Sequence, residues 1–194
     1  MTNPGDVVHR CKIQRKSAGK RIQGSVFPRN YDDAFDSWKW KCVCGLPFAL
    51  KTYGNNVFDM SIKAPCAVKI ALGGNPKGTY GERNQLPMTR MGVAQVLWDT
   101  FRKAKDYMEA KESGDHPAYD ADMEAMIPAR EKGDPCKIHC TQHDMLTAIE
   151  VANAYGVRFS LEHAWGASDY IDEIVESGCD VCYGRSEHTG AAGD

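Results

Sequence analysis

No stretch of the 194-residue sequence reaches the roughly 18 consecutive apolar residues that a membrane-spanning helix needs. The opening MTNPGDVVHRCKIQRKSAGKRIQG also lacks the apolar core of a secretory leader. A soluble, cytoplasmic protein that does not engage a membrane is the expectation. An excess of one charge is missing too. With 24 Lys and Arg against 26 Asp and Glu the net charge is -2, which offers no basic surplus to draw nucleic acid. Low-complexity and collagen-like repeats are absent, and 42% hydrophobic residues suffice for one globular core.

Cysteine is abundant, at eight residues. A chain of this length does not need disulfide staples, so reduced thiols are expected. The spacings Cys42-x-Cys44 and Cys179-x-x-Cys182 could form a four-cysteine zinc ribbon, which would hold zinc independently of any histidine. The alternative is buried structural cysteines, since Cys182 lies in the strand-like run Cys179 to Tyr183 and Cys136 and Cys140 flank another.

Residues 1–45 show no clean periodicity and read as an irregular N-terminal segment, with Pro28 to Asp33 and Trp38-Lys39-Trp40 unassigned. Residues 46–185 are regular, and 186–194 form a polar tail. Apolar runs at Leu46 to Lys51 and Cys66 to Leu72 read as buried strands, each ended by turn residues, and the second leads into a glycine- and lysine-bearing loop through Arg83. Apolar spacings of three and four from Thr89 to Lys111 predict a helix capped by Thr89. A second helix follows from Asp120 to Glu131, with Met123, Met126 and Ile127 inward. Then come a strand at Lys137 to Cys140, a helix at Asp144 to Tyr155, a strand at Val157 to His163, a helix at Ser168 to Glu176 and a strand at Cys179 to Tyr183. Strand and helix in alternation with short connections predict right-handed crossovers and an α/β fold with a parallel sheet.

Ligands and catalytic groups of such sheets gather at the carboxyl ends of the strands. His139 and His163 fall at two such ends. Each alone could be a core histidine satisfied by a carbonyl, but neighbouring strands lie about 4.8 Å apart, so two terminal imidazoles can meet one ion. Lys69 is embedded in Val68 to Leu72. It either snorkels to solvent or points into a low-dielectric site, where its amine would lose charge and become nucleophilic enough to capture carbon dioxide as a carbamate.

These residues stand in recognisable surroundings. Ala64-Pro65-Cys66-Ala67-Val68-Lys69-Ile70-Ala71-Leu72-Gly73-Gly74-Asn75-Pro76-Lys77, Thr79 to Arg83, Pro87 to Ala94, Lys137 to Gln142 and Leu161 to Ala164 together resemble the amidohydrolase superfamily, specifically its imidazolonepropionase-related branch. The resemblance implies a partial (β/α)8 TIM barrel and a metal-dependent hydrolase of C–N bonds in a small cyclic amide, amidine or peptide-like substrate. It also implies one or two divalent ions, zinc first among them. Lys69 would be the carboxylated metal bridge at the end of the fourth strand, His139 the fifth-strand ligand, and His163 the sixth-strand ligand or catalytic imidazole. Gln142 would be a polar catalytic residue beside the metal-bound water. His143 and Asp144 are read as opening the next helix.

Two parts of that pattern are missing. The superfamily's first strand carries a His-x-His pair, which occurs nowhere in this sequence, and His9 stands alone in a polar context. The aspartate of the last barrel strand has no counterpart before residue 194. A complete barrel takes about 250 residues, so the barrel is expected to be incomplete at both ends. That points to a truncated product or one part of a split enzyme, completed by a second copy or a complementing chain. The alternative is a catalytically inactive homologue serving as a scaffold.

Overall fold

The alternation that sequence analysis finds in the second half of the chain becomes a sheet with one greasy and one polar face. The computed structural model describes residues 23–26 and 42–183, apart from 52, 54, 55 and 132. His9, the clusters at 28–33 and 38–40, and the tail at 186–194 lie outside the described residues. The strands are β1 (Gln23–Val26), β2 (Val43–Gly45), β3 (Phe48–Lys51), β4 (Ser61–Lys63), β5 (Val68–Ala71), β6 (Cys136–Thr141), β7 (Phe159–Trp165) and β8 (Asp180–Tyr183). The helices are α1 (Val57–Met60), α2 (Gly74–Gly81), α3 (Arg90–Ser113), α4 (Ala121–Glu131), α5 (Asp144–Tyr155) and α6 (Ile171–Ser177), with a 3-10 turn at Ala167–Tyr170 ahead of α6.

The main sheet has the order β2-β5-β6-β7-β8. Its last four strands are parallel and joined by helical crossovers. Every second residue of these strands faces the helices: Val68, Ile70, Cys136, Ile138, Cys140, Phe159 and Leu161 form one core with Val93, Leu97 and Phe101 of α3, Met123 and Met126 of α4, and Met145, Ala148 and Ala152 of α5. Leu97 is fully buried, which removes about 2–3 kcal/mol of side chain from water. Thr89 caps α3 by accepting a hydrogen bond from the Gly92 amide at 3.0 Å, and Gly114 ends the helix in the left-handed region. Met91 falls on the solvent side of α3.

Three local readings change. The run at Leu46 to Lys51 does not join the parallel sheet; β3 instead pairs antiparallel with β1 and β4 in a separate three-stranded sheet. The place beside β5 is taken by β2, which runs antiparallel to it with an irregularity between Val43 and Gly45. Both β1 and β2 fall inside the segment read as irregular, because strands of three and four residues are too short to show a period. The loop expected after Leu72 contains α2, whose glycines conceal a helix that buries Pro76 and Tyr80, four residues apart on one face.

Among the described residues the sheet does not close into a barrel: β2 and β8 are its two edges. All of β8 is exposed, including Val181 and Tyr183 on its helix side, and Ile171 and Val175 of α6 are exposed too. No helix among the described residues is long and apolar enough to cross a membrane.

Candidate active site

The face of the sheet turned away from the helices carries the polar residues. Parallel pairing sets Lys69 beside Lys137, Ala71 beside His139, Lys137 beside Ser160, and His139 beside Glu162. Within this face Lys137 Nζ donates to Glu162 Oε1 at 2.8 Å, and Ser160 Oγ donates to the same oxygen at 2.7 Å. Burial acts to raise the Glu162 pKa, but the two hydrogen bonds and the lysine charge outweigh it and hold the carboxylate below its ordinary value.

His163 should not belong to this face. Its register partner is Cys140, whose thiol lies in the helix-side core, so strict alternation would send the imidazole the same way. Instead the ladder slips between Cys140 and Thr141, and His163 and Ala164 take φ values of 70° and 42°. Two consecutive non-glycine residues in the left-handed region cost about 1–3 kcal/mol each, and such strain persists only where neighbours over-determine it. The turn it makes delivers His163 Nδ1 to 3.1 Å from His139 Nε2, with the rings edge-on at 67°. Trp165 lies along the other side of His163, with centroids 5.7 Å apart.

His139 is buried, and its Nδ1 has no hydrogen-bond partner. Burial is the main reason its pKa falls from 6.5 to about 4, helped by His163 and Lys69. The ring is therefore neutral at physiological pH, the form that ligates metals. Lys69 is also buried, and loss of hydration pushes its pKa down, partly offset by Cys44 and Glu162. The Cys44 thiol, equally buried, is pushed up to about 12 and stays protonated.

The sequence-based picture of three strand-ending residues needs one correction. His139 and His163 meet, but Lys69 is the second residue of β5 and lies level with Lys137, two residues below His139. Strand geometry puts its Cα about 8 Å from that of His139, a span its long stem can cover. Gln142 follows β6 with φ 51° and is exposed. Its amide donates to the Trp165 carbonyl at 2.8 Å, and its Cγ lies where a side chain at Gly166 would touch it, at 3.4 Å. The zinc-ribbon arrangement fails on topology, since β2 and β8 are opposite edges of the sheet, roughly 19 Å apart by strand spacing. All seven described cysteines are free thiols.

Sequence reasoning missed Asp144, which is more than a favourable charge at the start of α5. It is buried beneath Gly73, with Oδ2 unpartnered by any hydrogen bond and Arg90 Nε 3.8 Å away. Burial raises its pKa against the opposing pull of Arg90 and His143. In the sequence it reads only as an acid opening a helix, and its burial shows in the structure alone.

For a divalent ion the donor set fits in part. Two imidazoles, one with an orphaned buried nitrogen, and an amine that burial holds towards neutrality suit one side of a coordination shell. Among the described residues no group of three or more His, Cys, Asp or Glu gathers to complete it.

Comparison with solved structures finds a crystal structure of an amidohydrolase from Thermotoga maritima MSB8, with 34% sequence identity over 73% of this chain and a TM-score of 0.69. The chain is similar to 39% of that protein's length. No family model and no curated protein matches the chain. The likeness supports the amidohydrolase superfamily for the matched region and does not single out a branch within it.

Proposed function

We propose that the chain is part of a metal-dependent amidohydrolase of the imidazolonepropionase-related branch, acting on a C–N bond in a small cyclic amide, amidine or peptide-like substrate. The observation that carries this reading is the imidazole pair His139–His163, held at 3.1 Å at the carboxyl end of parallel strands by two strained residues. It lies in a region 34% identical to a solved amidohydrolase. Free thiols among the described cysteines agree with a cytoplasmic setting.

In this reading Lys69 and His139 would hold one or two divalent ions, zinc first, with His163 either a further ligand or the catalytic imidazole. A bound ion of this kind acidifies a water and polarises a carbonyl. The rest falls to the chain's own groups. Burial lowers the Lys69 pKa and so favours the neutral amine, whose nitrogen can bond to the carbon of carbon dioxide and release a proton, giving an anionic oxygen donor. The Lys137–Glu162–Ser160 network below fixes the polar floor of the site. His163, exposed on its solvent side, can take a proton from the attacking group and return it to the leaving nitrogen. Gln142, on the rim, orients the substrate or water. The remaining donors come from outside the described residues, through a second copy or a complementing chain seated at the open β8 edge, where Val181, Tyr183 and Val175 await cover.

A second reading, an inactive homologue serving as an assembly or ligand-binding scaffold, is favoured by the absence of a third ligand of the ordinary types among the described residues. Turnover separates the two. Protein supplied with Zn²⁺ and bicarbonate is assayed for amine release from cyclic amides, amidines and dipeptides. The proposal expects hydrolysis of at least one class, reduced about 10²-fold or more in His163→Ala. Stoichiometric zinc without turnover in any oligomeric state selects the scaffold.

A further inference from the structure

The strain at His163 and Ala164 needs an anchor on each side. Upstream, β7 is fixed by its ladders to β6 and β8. Downstream, the chain leaves the sheet through Gly166, also left-handed at φ 81°, and enters the 3-10 turn that ends at Tyr170. Three downstream contacts lead to the same place, the two-residue turn after β6. The Gln142 amide donates to the Trp165 carbonyl, and the Gln142 side chain packs beside Gly166. Tyr170 Oη lies 2.6 Å from His143 Nδ1, with the two rings edge-on at 83°.

We propose that Tyr170 and His143 are positioning residues whose hydrogen bond clasps the end of the strained segment to the turn after β6 and so holds His163 against His139. His143 is exposed, and Tyr170 is half-buried with its ring packed on the core. Without the clasp, the segment from His163 to Tyr170 keeps the Gln142–Trp165 backbone bond, the pairing of Trp165 with Thr141 and the packing of Ala164 and Ala167 on the core, but loses the side-chain hydrogen bond that ties its far end to the turn, and His163 can relax toward ordinary φ values. That relaxation turns the His163 imidazole back toward the face its register assigns, and the 3.1 Å contact opens. The clasp requires no bound ion, so its test is independent of the proposed hydrolase activity.

Long-range ¹H–¹⁵N correlation spectra of histidine-labelled, metal-free protein report the tautomer of each ring. In the wild type the bonded pair gives one nitrogen carrying the proton and one acceptor, at His139 Nε2 and His163 Nδ1 in either order. Tyr170→Phe keeps the ring contact but removes the hydroxyl, and His143→Ala removes its partner nitrogen. Both are expected to lose the paired pattern, with both rings moving toward averaged shifts and the unfolding midpoint changing by no more than about 3 °C. His143→Asn, which places an acceptor oxygen near the Nδ1 position, is expected to retain the pattern. An unchanged pattern in Tyr170→Phe, or His143→Asn losing it as fully as His143→Ala, overturns the assignment.

Discussion

Adding one methyl group at Gly73 tests how the loop carrying the β5 strand end is seated. Gly73 has φ 74° and ψ -135°, a conformation that side-chain-bearing residues rarely adopt. A Cβ there would lie 2.6 Å from Asp144 Oδ2 and 3.5 Å from its Cγ. Backbone strain contributes about 1–3 kcal/mol. Displacing a buried carboxylate from a packed position adds about 1–3 kcal/mol, and the reduced entropy of the unfolded chain returns about 0.5 kcal/mol. Gly73→Ala should therefore lose roughly 2–5 kcal/mol, or about 5–15 °C for a domain of this size. Gly74→Ala, with nothing within 4 Å of its Cβ, is the control and should be neutral or slightly stabilising. Urea unfolding of Gly73→Ala in wild-type and Asp144→Ala backgrounds separates the two costs, because only the contact cost disappears with Asp144. Gly73→Ala within about 0.5 kcal/mol of wild type, or a cycle showing no coupling, would refute the packing of Asp144 beneath this loop.

Other consequences follow from the titrating groups. His139 is held neutral in the fold down to about pH 4, whereas an unfolded histidine binds its proton near 6.5. Its contribution is present above pH 6.5 and is lost as the pH falls from 6.5 to 4, by at most about 3 kcal/mol. Stability measured across that window in His139→Gln should be correspondingly flatter than in the wild type. Asp144 shifts the opposite way for its type: its folded pKa lies above the unfolded 3.8, so the folded state favours the protonated acid. Its contribution is present below the unfolded value and is lost as the pH rises through the folded one. Asp144→Asn should therefore be more stable than wild type at pH 7, with the advantage vanishing below about pH 4 in denaturant titrations.

Much of the fold is legible in the sequence where burial imposes a period. The spacing of Val93, Leu97, Phe101 and Ala104 fixes α3, and the alternation around Ile138 and Leu161 fixes the parallel strands. The helix α2 is hidden because Gly74, Gly78 and Gly81 argue for a loop, while its tertiary burial of Pro76 and Tyr80 argues for a helix and prevails. The antiparallel placement of β2 could not be read from three residues. At the site, the meeting of His139 and His163 was legible from their places at neighbouring strand ends. The left-handed turn that makes it possible was not, because neither His163 nor Ala164 belongs to a residue type that announces a positive φ as glycine does. The strand-end place of Lys69 came from the family resemblance, whereas its apolar run continues to Leu72 and hydrogen bonding places it second in a four-residue strand.

The central claim is that His139 and His163, with Lys69, form one side of a divalent-metal site. Elemental analysis of protein equilibrated with Zn²⁺ and then dialysed, wild type beside a His139→Ala, His163→Ala double variant, addresses it directly. The account predicts about one zinc or more per chain in the wild type and its loss in the folded double variant. A wild type that retains no divalent metal, or a double variant that retains as much, contradicts it.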